Sequence, residues 1–145
     1  MPLPKGLSRS VPSAIVRLVH TIPLPFVKLL IVDDSNFIRR AIERHAESFN
    51  IKEIRTANTG KAALRALNDF VPDLITMDIT MPEMDGLTCV EAIRRVNATS
   101  RILVISALSD RSMAVEALKR GANGFLLKPF NEDSLREAVA DVLED

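Results

Sequence analysis

The sequence predicts an α/β fold in which an open, doubly wound parallel sheet of five strands carries helices on both faces, spanning residues 28–145. Two patterns lead there. Short continuous apolar runs, bounded by polar residues, recur along the chain, and strands of that kind are buried on both faces. Between them lie stripes at helical spacing, each of which needs a sheet to cover. Strands alternating with one-faced helices give a parallel sheet joined by right-handed crossovers. Five such units are too few for an eight-stranded barrel and suit an open sheet.

The elements follow in order. Leu29-Leu30-Ile31-Val32 is the first apolar run, and Ile38, Ile42, Ala46 and Phe49 form the first stripe after the capping residue Ser35. A weaker strand lies around Glu53–Ala57, where Ile54 and Thr56 favour extended chain while Glu53 and Arg55 mark a solvated edge. Thr59 caps a second helix carrying Ala63, Leu64 and Leu67. Leu74-Ile75-Thr76-Met77 is the third strand, followed by the stripe Leu87, Val90 and Ile93. Ile102-Leu103-Val104-Ile105 is the fourth. After it Asp110 caps a helix with Ala114, Ala117 and Leu118 inward, which Gly121 ends in a left-handed conformation. Phe125-Leu126-Leu127 is the fifth strand, and Leu135, Ala138, Val139 and Val142 stripe the last helix.

Composition removes several functions. The 19 Lys and Arg balance 19 Asp and Glu, and there is no Trp or Tyr, so neither a basic surface nor the usual base-stacking side chains are present for nucleic acid. Cys89 alone makes neither an internal disulfide nor a multi-cysteine metal site, which points to a reducing, cytoplasmic setting. No apolar run reaches membrane-spanning length. The balance also conceals a division. Residues 1–27 are a proline-interrupted leader with Lys5, Arg9 and Arg17 and no carboxylate, so all 19 acids fall in the domain. A short helix from about Ser13 to His20 fits the leader's apolar residues. Reading it as a secretory signal fails on Arg17, His20 and the prolines, and no small-residue cleavage site follows. A further hypothesis, suggested by the abrupt change of composition, starts translation at Val27; an intact native mass matching all 145 residues would exclude it.

In an open α/β sheet, ligands bind beyond the carboxyl ends of the strands. There the chain places Asp33-Asp34 after strand one, Asp78 after strand three, Ser106 after strand four and Lys128-Pro129 after strand five. Each residue taken singly has a bland role as helix cap, turn former or solvated side chain. Their recurrence at the same end of four strands points instead to one crevice. Two carboxylates about 4 Å apart repel by roughly 4 kcal/mol at an effective dielectric near 20, so three sharing a pocket need a cation. Hard oxygen donors suit Mg²⁺ better than zinc, and His20 and His45 are not at these strand ends. A carboxylate beside a divalent ion and an ammonium can serve as nucleophile toward a phosphoryl group.

Four motifs now carry a resemblance. Ile31-Val32-Asp33-Asp34-Ser35, Met77-Asp78-Ile79-Thr80-Met81-Pro82-Glu83-Met84-Asp85-Gly86, Ile105-Ser106-Ala107 and Gly121-Ala122-Asn123-Gly124-Phe125-Leu126-Leu127-Lys128-Pro129-Phe130 together resemble the receiver domain of two-component response regulators, in character the stand-alone chemotaxis type. The resemblance implies a flavodoxin-like sheet of order 2-1-3-4-5. It implies that Asp78 accepts a phosphoryl group from a histidine kinase or histidine phosphotransfer protein, and that Asp33, Asp34, Asp78 and the backbone carbonyl of Thr80 hold Mg²⁺. Lys128 would contact the phosphoryl oxygens across a cis bond to Pro129. Ser106 would then bond a phosphoryl oxygen and Phe125 turn inward, altering the surface of helix four, strand five and helix five that regulates a partner protein. From the residues alone, Phe125 is equally well a core side chain. The resemblance further implies a phosphoacceptor rather than an enzyme in its own right, a monomer or weak dimer through the same surface, and no direct contact with nucleic acid. Thr80 and Leu108 would flank the path of an attacking water. Arg39, Arg40 and Arg44 read as the solvated face of helix one, placed to help dock a kinase.

Three other functions compete. An Asp-nucleophile phosphatase of the haloacid-dehalogenase type needs a second Asp where Thr80 stands. A flavodoxin-type electron carrier needs a hydroxyl-rich loop in place of Asp33-Asp34. A non-phosphorylated interaction module on the same fold has no use for the intact set Asp33, Asp34, Asp78, Ser106 and Lys128.

Overall fold

A computed structural model describes residues 26–107 and 111–144. The leader helix, the secretory reading, the Asp110 cap and Leu108 lie outside the described residues. Five parallel strands form one sheet: β1 (Val27–Val32), β2 (Ile51–Ala57), β3 (Leu74–Met77), β4 (Arg101–Ser106) and β5 (Gly124–Leu127). Their order is β2-β1-β3-β4-β5. The helices are α1 (Asn36–Ala46), α2 (Gly60–Ala66), α3 (Gly86–Val96), α4 (Arg111–Lys119) and α5 (Glu132–Glu144). β1 begins one residue before the expected boundary, with Val27 already buried.

Alternation along the strands splits the core in two. Leu29, Ile31, Leu74, Leu103 and Ile105 pack against Ile42 of α1 and Leu135, Val139 and Val142 of α5. Leu30, Val32, Ile75, Met77, Ile102 and Val104 face Ala63 of α2, Val90 and Ile93 of α3, and Ala117 of α4. Phe49 falls after α1 has ended yet stays in the first cluster. The side-chain oxygens of Ser35 and Thr59 accept the amides of Ile38 and Ala62, as the sequence led one to expect. Asp85 does the same for Thr88 at the start of α3. Beyond α4, Gly121 takes φ +120°; the Ala122 amide reaches the Ala117 carbonyl and the Gly121 amide that of Leu118, the double bond of a Schellman end.

Two expectations fail on the same flank. The run Phe125-Leu126-Leu127 is not buried on both faces, because β5 is the last strand of the sheet and has a neighbour on one side only; Leu127 is 45% exposed. The stripe on α4 is also incomplete. Ala117 is buried, while Leu118 is 50% exposed and Ala114 only half-buried, since α4 lies over the sheet's edge and buries little more than one side-chain row. The edge strand β2 is solvated as expected but begins at Ile51, two residues before the predicted start.

Candidate metal and phosphoryl site

The register brings the site together. Val32 lies opposite Met77 and Met77 opposite Val104, so the residues that follow leave neighbouring strands at one level. The Asp78 amide still donates to the Val32 carbonyl at 2.9 Å, and the Asp33 amide to Ala57 at 3.1 Å, which holds both carboxylates at the carboxyl edge. Carboxylate oxygens of Asp33, Asp34 and Asp78 lie within 4.8 Å of one another. Asp33 and Asp78 are buried, at 2% and 5% exposure, whereas Asp34 faces solvent.

Lys128 completes the cluster from β5's side. Its Nζ donates to Asp33 Oδ2 at 3.0 Å and to Asp78 Oδ1 at 3.3 Å, and the bond to Pro129 is cis. Burial works to lower the ammonium's pKa, but the hydrogen bond and charge of Asp33, then of Asp78, outweigh it and the net direction is up. The Asp78 carboxyl is raised to about 6, first by burial and then by the charge of Asp33, with Lys128 and a backbone hydrogen bond from Thr80 opposing. One ammonium therefore leaves the pocket short of positive charge. Three hard oxygen donors, two of them withdrawn from water, fit Mg²⁺ and leave room for waters or a ligand oxygen.

Ser106 is fully buried at the end of β4, and its carbonyl accepts the Lys128 amide at 2.8 Å, so the serine and the lysine are adjacent across the last strand pair. Thr80 is exposed two residues past Asp78. Phe125 is half-buried against the cluster under α2, α3 and α4, a position between the core and the switch readings.

Other residues shape the pocket without facing it. Arg39 is not solvated as expected: half-buried, it donates to the Asp33 carbonyl at 2.6 Å and to the Asn36 side chain, fastening the loop that presents Asp33. Arg40 and Arg44 are exposed as expected. The Asp33 Oδ1 also accepts the Ser35 amide at 2.9 Å. Gly86 opens α3 with its amide on the Ile79 carbonyl at 2.8 Å; a Cβ there would fall 2.1 Å from the Asp78 carbonyl oxygen, so no other residue permits that approach. His45 of α1 meets the Phe130 ring edge-on at 6.0 Å, bracing the loop after Lys128. None of these pairings leaves a periodic trace in sequence, although Gly86 closes the motif that runs from Met77.

The comparisons agree with this geometry. The family model "Response regulator receiver domain" matches residues 29–140. The chain is 39% identical over 116 residues to the chemotaxis protein CheY of Bacillus subtilis, covering 80% of this chain and 97% of that one. It is 35% identical to the CheY of Thermotoga maritima, covering 79% and 96%. Among solved structures, the CheX-CheY-BeF3-Mg+2 complex from Borrelia burgdorferi superposes with a TM-score of 0.73 at 36% identity, over 82% of this chain and 90% of that one. What the fold and site define is thus a phosphorylation-regulated signalling switch built on a doubly wound sheet. The chain belongs to the response regulator receiver domain family, and its likeness to CheY runs through most of its length. Among the described residues no helix is long and apolar enough to cross a membrane.

Proposed function

We propose that Asp78 is the phosphoacceptor of a cytoplasmic signalling switch whose donor is a phosphohistidine on a kinase or phosphotransfer protein. The observation that carries the reading is the convergence of three carboxylates within 4.8 Å with a single ammonium touching two of them. A carboxylate oxygen of Asp78 attacks phosphorus in line with the P–N bond; the new O–P bond forms as that bond breaks, and the imidazole nitrogen leaves with the electron pair. Asp33, Asp34, Asp78 and the Thr80 carbonyl would hold Mg²⁺, which supplies positive charge against the phosphoryl oxygens. Lys128, already beside Asp78, takes up phosphoryl charge in place of the Asp33 carboxylate it now bonds.

Ser106 gains a charge-assisted hydrogen bond only when a phosphoryl oxygen is present, and a differential contact of that kind shifts a two-state equilibrium. Phe125, half-buried, then turns inward, and the exposed surface of α4, β5 and α5 changes with it. That surface is the one through which a downstream protein, or a weak dimer, reads the state. The role is that of a regulator that assists its own phosphorylation and dephosphorylation and turns over no other substrate.

The test is acetyl phosphate with Mg²⁺, read by intact mass, and beryllofluoride with Mg²⁺, read by amide shifts around Asp78. The expected result is one phosphoryl group on the wild type and none on Asp78→Asn. Modification of neither protein, with no beryllofluoride binding, leaves a non-phosphorylated interaction module as the surviving reading, and equal modification of both puts the phosphoryl group on a residue other than Asp78.

A further inference from the structure

Asp33 and Asp34 enter the carboxylate cluster on unequal terms. Every polar group of Asp33 is engaged: its amide donates to the Ala57 carbonyl, Oδ1 accepts the Ser35 amide, Oδ2 accepts from Lys128 Nζ, and its carbonyl accepts from Arg39 Nη1. Asp34 is exposed, and among the described residues its carboxylate has no hydrogen-bond or ion-pair partner. A carboxylate oxygen of Asp34 nonetheless stands within 4.8 Å of oxygens of Asp33 and Asp78. What aims it is the backbone on which it is carried.

The Asp33 carbonyl belongs to the peptide unit that joins Asp33 to Asp34. That unit is planar and does not turn internally, so whatever fixes its oxygen also fixes the direction in which Asp34 leaves it. Arg39 supplies the fixing, with Nη1 2.6 Å from the oxygen while Nη2 donates to the Asn36 side chain. Side chains on a helix lean toward its amino end, so an arginine in the first turn of α1 reaches back past the Ser35 cap to the end of β1. A guanidinium grips two acceptors at once as a rigid fork, which an ammonium does not. Arg40 and Arg44, both exposed, make no such bond among the described residues.

We infer that Arg39 is a positioning residue for the metal site: by clamping the Asp33–Asp34 peptide it aims the Asp34 carboxylate at the ion and so sets the affinity for Mg²⁺. The inference rests on the metal reading of the three carboxylates. The charge of Arg39 works in the opposite direction, because a guanidinium beside a divalent cation repels it. The clamp and the charge therefore predict opposite signs. Removing an arginine that acts through its charge tightens Mg²⁺ binding, whereas removing one that acts through its geometry weakens it.

The experiment titrates the isotope-labelled 145-residue chain with Mg²⁺ alone and reads the dissociation constant from the amide shifts of Asp33, Asp34 and Asp78. Arg39→Ala is expected to raise that constant about 10-fold, the lower end of what the hydrogen-bond partners of metal ligands contribute. Arg39→Lys keeps the charge and loses the fork, so it binds more weakly than wild type by a smaller factor, and its result stands should Arg39→Ala fail to fold. Arg40→Ala removes the same charge without touching the peptide and leaves the constant at or below the wild-type value. The metal-free protein gives a second readout: the Asp34 amide, which lies in the clamped peptide, gains fast motion in Arg39→Ala by nitrogen relaxation while the Asp78 amide does not. An unchanged or lower constant in both Arg39 variants, a rise of equal size in Arg40→Ala, or an Asp34 amide as rigid as in wild type overturns the proposal and leaves the metal reading standing. No amide shift in the wild type at saturating Mg²⁺ overturns both.

Discussion

β3 and β5 are both four-residue strands, and each ends beside a charged residue of the site, Asp78 and Lys128. Every residue of β3 is buried, and none of β5 is. Asp78, the proposed acceptor, thus hangs from the centre of the sheet, where two helix layers close over Ile75 and Met77 on one side and Leu74 on the other. The ammonium hangs from the sheet's edge, beside a helix with Val115 and Leu118 half in solvent. A switch gains from this division, because the reaction needs fixed carboxylates while the readout needs an element whose rearrangement costs little.

The largest effect that can break the comparison is in β3. Ile75→Ala removes a fully buried side chain between α2 and α3 and is expected to cost about 3–4 kcal/mol in urea unfolding. A loss below about 1 kcal/mol would show that the centre of the sheet is no tighter than its edge.

Next comes the charge that the centre has to carry. The Asp78 pKa of about 6 lies above its ordinary 3.8, so the native state binds this proton more tightly than the unfolded chain. Stability from this group is full at acid pH and is lost as pH rises through about 6. Without Mg²⁺, Asp78→Asn should be more stable than wild type by about 2 kcal/mol at pH 7, with the gap narrowing as pH falls through 6 and closing only near the unfolded value of 3.8. Saturating Mg²⁺ should narrow the gap at pH 7, because the ion stabilises the ionised wild type. A gap that is flat with pH contradicts the assignment.

Much of this was legible in the sequence and some was not, for reasons the same two strands make plain. The apolar run Leu74–Met77 and the polar residue after it gave both the strand and the place of the Asp78 carboxylate, because a central strand is dictated by its own residues. The run Phe125–Leu127 looks identical in one dimension; its half-exposure follows from being last in the sheet order, a tertiary fact to which Leu127 carries no clue. Asp33, Asp34, Asp78 and Lys128 were found because strand ends converge in any parallel sheet. Arg39 was missed because its tether is to a backbone carbonyl, which has no sequence identity, so in the first turn of a helix, six residues after Asp33, it reads as one more surface cation.

Thr76 sharpens the comparison within β3 itself. Its neighbours across the sheet are Ile31 and Leu103, and among the described residues its Oγ1 has no hydrogen-bond partner. An unpaired buried hydroxyl costs about 1–3 kcal/mol, and Thr76→Val keeps the shape while removing it. The expected gain is about 1 kcal/mol, read as a raised urea midpoint with unchanged slope. A loss of stability would mean the hydroxyl is paired in solution, most simply through a water.

The smallest effect is the one that tests the loose flank directly. Leu127 lies next to Lys128 in the chain yet is 45% exposed, so Leu127→Ser gives up little burial and is expected to change stability by no more than about 0.5 kcal/mol. Its neighbour's backbone is fixed independently, by the Lys128 amide on the Ser106 carbonyl. Phosphoryl uptake at Asp78 should therefore proceed at the wild-type rate in Leu127→Ser, while binding of any protein that reads the β5 surface weakens. If uptake falls together with stability, the edge is coupled to the acceptor as rigidly as the centre is, and the division of labour between the two strands does not hold.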